Sequence, residues 1–135
     1  MSDGYSDVAA PLVLVVDDEA LLAEETAFGL EMAGIPAITA SSAADALREL
    51  RGHAGIRVLV TDVRMPQEDG IALARRALAE LGPSRLGVIF MTGNANDAAV
   101  TDLAGVVGLV RKPFAMEELL DLVRAALGGA RRAAG

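Results

Sequence analysis

The chain has no cysteine and no tryptophan, and it has only one histidine. Without cysteine there are no disulfides, no thiol nucleophile and no thiolate ligands for a metal. This absence suits a reducing cytoplasm, which is where we expect the protein to be. The longest apolar runs, residues 12–16 and 86–91, are far too short to cross a bilayer, so we expect no membrane partner. Lys112 is the only lysine, against eleven arginines.

The charge balance excludes further classes. The formal net charge is −7, with 53% hydrophobic and 23% charged residues, which is typical of a globular protein. The negative charge argues against direct binding to nucleic acid. A length of 135 residues indicates one domain. We expect a flexible segment over residues 1–10, which is polar and acidic and unlike a signal peptide, then a domain over 11–128 and a tail over 129–135.

Five short apolar runs predict five β-strands. The first and third are continuous and apolar, as in parallel strands covered on both faces. Pro36 near the start of the second run indicates a strand at an edge of the sheet. The predicted strands are Leu12–Val16, Ile35–Thr39, Arg57–Thr61, Val88–Met91 and Val106–Val110.

Helical patterns follow each strand. Ser41 or Ser42 and Asp69 stand where helix caps are expected, and Gly34 stands where a helix would end. The first helix is expected to turn a broad apolar face inward, formed by Leu22, Thr26 and Leu30 or by Leu21, Phe28 and Met32. The predicted helices cover 20–33, a second ending near Gly52, about 71–81, 96 or 97 to about 104, and 116–127, with Gly128-Gly129 ending the last.

Strands that alternate with helices predict an α/β fold: a doubly wound, five-stranded parallel sheet with helices on both faces. In the flavodoxin-like strand order 2-1-3-4-5, strands 1 and 3 are neighbours, and ligands bind beyond the carboxyl ends of the strands. No internal repeat or second domain is visible in the sequence.

Polar side chains stand where four of these strands end. Asp17 and Asp18 follow strand 1, Asp62 follows strand 3, Thr92 follows strand 4, and Lys112 follows strand 5. Neighbouring strands lie about 4.8 Å apart, so the three carboxylates would crowd together and require a compensating cation. Oxygen ligands suit Mg²⁺ (or Mn²⁺), and the lack of histidine or cysteine in the group argues against zinc or copper.

A cation, a lysine and a hydroxyl around carboxylates would suit a phosphoryl group. The metal and Lys112 would neutralise its oxygens, Thr92 would donate a hydrogen bond, and one aspartate could accept the group. Any single aspartate after a strand could instead cap the next helix, and this is the preferred interpretation of Asp69. A cap does not account for Asp17 and Asp18 together with Asp62.

In this order the residues resemble the receiver domain of bacterial two-component response regulators. The resemblance extends from Leu12 to about Leu127. No single motif is specific for this family, but the whole set of motifs in this order is specific for it. Its segments are Asp17-Asp18-Glu19, Asp62-Val63-Arg64-Met65-Pro66 through Asp69-Gly70, Thr92-Gly93 and Lys112-Pro113-Phe114.

The resemblance implies that Asp62 accepts a phosphoryl group from a histidine of a sensor kinase or a histidine phosphotransfer protein. Asp18 and Asp62 would ligate Mg²⁺ together with the backbone carbonyl of Arg64, and Asp17 would act mainly through water. The output would be an unknown downstream protein.

Other positions take their roles from the same resemblance. Lys112 would pair with the phosphoryl oxygens, and Thr92 would move towards them. The peptide bond between Lys112 and Pro113 would be cis. Arg64 and Asn94 lie where side chains tune the lifetime of the phosphoryl group, although both also suit ordinary solvated positions.

Two features depart from the family pattern. Leu109 occupies the position of an aromatic switch residue, and the helix between Thr92 and Lys112 is short. The face around strand 5, where such domains commonly form homodimers or signal, is therefore expected to be atypical. We predict that phosphate mimicry perturbs this helix less than the loop after Asp62, as amide exchange would measure.

Three other interpretations compete with this one. The chain could be a receiver cut from a longer regulator or hybrid kinase, rather than one that acts on a separate partner. A Mg²⁺-dependent phosphohydrolase would need a second acid close after Asp62, where Arg64 stands, and a cap over its substrate. A flavodoxin-like cofactor protein is excluded because Asp17-Asp18-Glu19 would repel the phosphate of the flavin. The sequence thus predicts a switch and not an enzyme acting on external substrates.

Overall fold

The computed structural model describes residues 10–94 and 102–134, with side-chain surroundings through residue 128. Its centre is one parallel sheet of five strands in the order β2-β1-β3-β4-β5, which confirms the predicted topology. Pro36 precedes the edge strand β2, as predicted. The strands are β1 Val13–Val16, β2 Ala37–Ala40, β3 Val58–Asp62, β4 Gly87–Thr92 and β5 Val106–Arg111.

The described residues form four helices. Most of the helix predicted between residues 96 and 104 lies outside the described residues, so that prediction is not tested. No helix in the described ranges is long and apolar enough to span a bilayer. The helices are α1 Ala20–Met32, α2 Ala43–Gly52, α3 Gly70–Leu81 and α4 Met116–Ala134.

The predicted caps are in place. The Ser42 side chain accepts a hydrogen bond from the backbone N–H of Asp45 at 3.1 Å, and Asp69 accepts one from Ala72 at 2.9 Å. These bonds satisfy N–H groups that the first turn of a helix leaves without partners. Gly34 follows α1 at φ +87°, a conformation that glycine adopts without strain.

Helices cover both faces of the sheet and create two apolar cores. On one face, Leu14 and Leu59 pack with residues of α2 and α3, such as Leu47 and Leu73. On the other face, Val13, Val15 and Val60 pack with residues of α1 and α4. All four residues of β1 are buried, which explains why its sequence is apolar at every position rather than at alternate ones.

Of the residues predicted for the inward face of α1, only Leu30 is buried. Ala23, Ala27 and Leu30 are the buried residues of this helix. Leu21, Phe28 and Met32 are 75%, 66% and 73% exposed, and Leu22 is 37% exposed. The helix has apolar residues on every side, so periodicity did not fix its rotation. The inward alanines are small, which lets the helix backbone approach the sheet closely.

The end of α4 also differs. The predicted stop at Gly128-Gly129 is wrong, because the helix continues to Ala134. Each glycine costs a helix about 1 kcal/mol relative to alanine, which weakens a helix without ending it. The following residues, alanines and arginines over 130–134, are strong helix formers. Residues 129–134 are therefore helical and not an irregular tail.

Candidate functional site

Three carboxylates meet at the carboxyl edge of the sheet. Asp62 is the last residue of β3, and Asp17 directly follows β1, whose Val16 pairs with Thr61. Asp17 is 1% exposed and Asp62 is 9% exposed, whereas Asp18 faces solvent. One carboxylate oxygen from each aspartate lies within 4.8 Å of the others. The structure therefore brings together the three acids that the sequence predicted to converge.

Lys112 reaches this cluster from the end of β5, which is the edge strand next to β4. It follows β5, and its backbone N–H donates to the carbonyl of Thr92 at 2.8 Å. Its Nζ donates to Oδ2 of Asp17 at 2.7 Å and to Oδ2 of Asp62 at 3.1 Å. The Lys112–Pro113 peptide bond is cis, in agreement with the resemblance. One ammonium group thus bridges the ends of two strands.

Burial and charge act in opposite directions on Asp62. Burial raises its pKa, the hydrogen bond and charge of Lys112 lower it, and the charges of Asp17 and Asp18 raise it, so that the pKa lies above its usual value. Burial disfavours the charge of Lys112, but its bonds to Asp17 and Asp62 outweigh this and raise its pKa. The lysine therefore stays protonated while ionising Asp62 costs free energy.

The loop after Asp62 turns sharply into α3. The backbone N–H of Gly70 donates to the carbonyl of Val63 at 2.8 Å. A Cβ at Gly70 would lie 1.9 Å from the backbone oxygen of Asp62, so only glycine fits there. Gln67 has φ +71°. The backbone N–H of Glu68, the next residue, donates to the carbonyl of Pro66 at 2.8 Å. This tight turn brings the start of α3 against the end of β3.

Thr61 is a supporting residue that the sequence reasoning missed. It is fully buried, and its Oγ1 donates to the backbone oxygen of Asp62 at 3.0 Å. The same hydroxyl would lie 3.0 Å from a Cβ at Gly70. The signal available in the sequence was a single hydroxyl in an otherwise apolar strand, immediately before the aspartate.

Thr92 and Asn94 lie at the end of the neighbouring strand. Thr92 is 1% exposed, and its Oγ1 accepts the backbone N–H of Asn94 at 2.9 Å. Thr92 pairs with Arg111 of β5, one residue before Lys112. The threonine hydroxyl is therefore held at the edge that carries the three carboxylates. Arg64 lies exposed in the loop two residues after Asp62.

Two positions singled out in the sequence lie away from the cluster. Leu109 is partly buried and packs against the core beneath α2 and α3. His53, the only histidine, lies at the end of α2 with its Nε2 3.2 Å from Glu49.

A cavity of about 420 Å³ opens beside the cluster, between α1 and the connection from β5 to α4. Asp17 and Lys112 line it, together with Leu22, Thr26 and Phe114. Leu22 and Thr26 were assigned to the core face of α1 by their spacing, but they line this cavity because of how the helix is rotated.

The donor set fits a hard divalent cation. Asp17, Asp18 and Asp62 offer only oxygen atoms, and two of these residues are largely shielded from solvent. Three negative charges face one ammonium, so a cation would lower the repulsion between them. Among the described residues, no cysteine and no histidine belongs to the cluster, which argues against a zinc site.

This combination defines a class: a doubly wound parallel domain whose acids after β1 and β3 and lysine after β5 share one edge of the sheet. The sequence matches the family model for the response regulator receiver domain over residues 13–124. The chain belongs to this family, the receiver domains of two-component systems.

Its relatives include regulators of transcription. The chain is 37% identical over 123 residues to the C4-dicarboxylate transport transcriptional regulatory protein DctD of Rhizobium meliloti, covering 87% of this chain and 25% of that protein. It is 36% identical over 124 residues to the response regulator protein TodT of Pseudomonas putida, covering 90% of this chain and 53% of that protein. The chain thus spans a quarter to about half the length of these relatives.

Solved structures show the same fold. A response regulator receiver domain protein from Clostridium thermocellum superposes with a TM-score of 0.83 at 27% identity, over 91% of this chain and 98% of that one. A response regulator receiver protein from Pseudomonas putida gives a TM-score of 0.77 at 36% identity, over 86% and 97%.

Proposed function

We propose that this chain is a phosphorylation-controlled switch that accepts a phosphoryl group on Asp62. The observation that carries the proposal is the position of Asp62, with the Nζ of Lys112 at 3.1 Å and carboxylate oxygens of Asp17 and Asp18 within 4.8 Å. The family implies a histidine of a sensor kinase or a histidine phosphotransfer protein as donor, and the cytoplasm as the place of exchange.

Asp18, Asp62 and the backbone carbonyl of Arg64 would hold Mg²⁺ (or Mn²⁺), with Asp17 acting through water. The bound cation would neutralise charge on the phosphoryl oxygens. The support is the donor set, in which three carboxylates face a single lysine. Arg64 would contribute its carbonyl here, while its side chain and that of Asn94 would lie at the mouth of the site and affect access of water.

The transfer itself needs few protein groups. A carboxylate oxygen of Asp62 attacks phosphorus, the bond from phosphorus to the donor imidazole breaks, and the imidazole nitrogen keeps the electron pair and takes up a proton. Lys112 would move from Asp62 to the new phosphoryl oxygens, and the hydroxyl of Thr92 would donate to one of them. Water later returns the phosphate to solution. The domain acts only on itself, so it is not an enzyme for external substrates.

The phosphoryl group adds up to about two negative charges and shifts an existing equilibrium between surfaces that bind a partner differently. One of the named relatives, DctD, is a transcriptional regulatory protein, but this chain spans a quarter to about half of the named relatives. We therefore assign to the residues described here a protein partner, either separate or in an adjoining domain, and no direct contact with nucleic acid. Pairing of two copies through the β5 face remains part of the proposal.

Incubation with acetyl phosphate tests the proposal. Wild type should acquire an acid-stable, base-labile label that depends on Mg²⁺, and Asp62→Asn should acquire none. Asp69→Asn is the matched control, because it changes another aspartate of the same loop and asparagine still caps α3. Equal labelling of Asp62→Asn and wild type would remove Asp62 from its assigned role.

A further inference from the structure

Within residues 10–94 and 102–134, some backbone groups on the outer edge of β2 have no hydrogen-bond partners. The carbonyls of Pro36 and Ala40 accept hydrogen bonds from the neighbouring β1 segment. By alternation, the N–H and C=O groups of Ala37 and Thr39 point away from β1. The Ala37 N–H donates to Oε2 of Glu31 at 3.3 Å. The Thr39 N–H makes no hydrogen bond in the described part of the chain, so this edge offers one donor and two acceptors.

Two cavities flank this edge. The first, of about 400 Å³, lies between α1 and β2 and is lined by Ala27, Phe28 and Ile38. The second, of about 310 Å³, reaches from α1 across the end of β2 to α2. Thr39 borders both cavities. Phe28, which is 66% exposed, gives the first cavity an apolar wall.

The lining of both cavities is acidic. Glu24 and Glu31 belong to the first, and Asp45 and Glu49 belong to the second. The single arginine there, Arg48, already donates to Asp45 at 2.8 Å. A second copy of the chain placed edge to edge would bring these acids against their equivalents, which disfavours self-pairing. Charge complementarity instead selects a basic occupant.

We propose that the outer edge of β2 binds an extended segment of a partner protein, in which apolar residues alternate with lysine or arginine. The segment would add a sixth strand to the sheet. Only an extended backbone can pair with both Thr39 groups and the Ala37 carbonyl. Its apolar side chains would lie on the α1 face of the sheet beside Phe28, and its basic side chains would lie on the opposite face, near Asp45 and Glu49 of α2. The surface lies two strands from Asp62, about 10 Å, so it goes beyond the phosphoryl-accepting role.

A synthetic peptide provides the probe. A fluorescent strand of about eight residues, alternating valine and lysine, is titrated into the full chain at about 0.15 M salt, beside a peptide that alternates valine and glutamate. We expect the cationic peptide to bind at least about tenfold more tightly and to slow amide exchange at Thr39. Equal affinity for the two peptides, or unchanged exchange at Thr39, would overturn the proposal.

Thr39→Pro gives the sharpest variant. It deletes the outward N–H while leaving the bonds from β2 to β1 intact, and proline is accepted at such edge positions. The variant should keep its circular dichroism and lose peptide affinity by about tenfold. If the folded variant binds the peptide as wild type does, the edge is not the site. If wild type is instead a dimer that Thr39→Pro dissociates, the occupant is a second copy and the proposal fails.

Two charge reversals complete the test should Thr39→Pro not fold. Glu49→Lys and Asp121→Lys change the net charge equally, but Asp121 is exposed on α4, outside both cavities. Glu49→Lys should weaken peptide binding by about tenfold, and Asp121→Lys by less than about twofold. Similar losses would indicate non-specific attraction to an acidic chain. Asp62→Asn should bind the peptide normally, which separates this surface from the phosphoryl-accepting site.

Discussion

Lys112 supplies one positive charge to a site that holds three carboxylates. Folding therefore buries Asp62 among like charges that its single partner, shared with Asp17, does not balance. The pKa of Asp62 lies above its usual value because burial raises it most and the charges of Asp17 and Asp18 raise it further, against the opposing effect of Lys112. The cluster proposed to receive a cation and a phosphoryl group is thus one that the isolated chain holds at the expense of stability.

At neutral pH, Asp62→Asn should be more stable than wild type. The raised pKa means that the folded state binds the Asp62 proton more tightly than the unfolded state does. Wild type therefore loses stability as pH rises from about 3.9, the usual aspartate value, through the raised pKa. Thermal melts without divalent ions should show a gain of about 4 °C at pH 7, equivalent to roughly 1 kcal/mol, and a smaller gain at low pH. A pH-independent difference would contradict this account.

Gly70→Ala should disrupt the loop that carries Asp62. The new Cβ would lie 1.9 Å from the backbone oxygen of Asp62, so β3 and α3 would have to separate. We expect a loss of about 3 kcal/mol in chemical denaturation, with loss of acetyl phosphate labelling. Gly93→Ala is the control, because a Cβ there meets nothing within 4 Å. A change of about 0.5 kcal/mol or less is expected for it.

Much of the acidic cluster could be predicted because Asp17, Asp18, Asp62 and Lys112 lie at strand ends, and parallel strands bring such ends to one edge. Thr61 could not be assigned, because its role depends on a hydrogen bond to the backbone of the next residue. A strand pattern tells which face a residue occupies, and it does not tell which atoms the side chain reaches.

At the scale of single elements, the sequence predicted that α1 is a helix but did not predict which side of the helix faces the sheet. Its bounds were predicted to within one residue, but its rotation was not, because apolar residues lie all around it. Contact with the sheet is made by Ala23, Ala27 and Leu30, and large side chains face outward. For α4, the prediction failed at Gly128-Gly129, where helix formers on both sides outweigh two glycines.

The rotation of α1 can be checked by paired substitutions. Leu30→Ala should cost about 2 to 5 kcal/mol in urea denaturation, because Leu30 is fully buried and its removal leaves a cavity. Phe28→Ala removes a larger side chain that is 66% exposed, and it should change stability by about 0.5 kcal/mol or less. The opposite ranking would instead support the second face predicted for this helix, the one formed by Leu21, Phe28 and Met32.

At the scale of the whole molecule, one sheet lies between two apolar cores, and the acidic cluster lies at the carboxyl ends of its strands. The topology was predictable because continuous apolar runs alternate with helical patterns. The helix predicted between β4 and β5 is not tested, because most of its residues lie outside the described ones. The expected weak response of that helix to phosphate mimicry therefore stays a prediction.

Mg²⁺ should stabilise the whole fold. A ligand that binds only the folded state adds about 2.7 kcal/mol at a concentration 100 times its dissociation constant. We expect the melting temperature of wild type to rise with MgCl₂, and to rise much less for Asp18→Asn, which removes one proposed ligand at the exposed side of the cluster. Sodium chloride at equal ionic strength is the control. An equal rise with both salts would indicate screening and not a bound ion.

The direction of α4 has a practical consequence for handling the protein. The helix begins four residues after Lys112 and runs back towards the start of β4, where Ala126 faces Gly87. Strand β1 also begins at that end of the sheet. The start of β1 and the last turns of α4 therefore lie at the end of the sheet opposite to Asp62. A fluorophore, a sensor surface or a fused reporter joined before β1 or after α4 should leave the acidic edge open to the proposed donor protein.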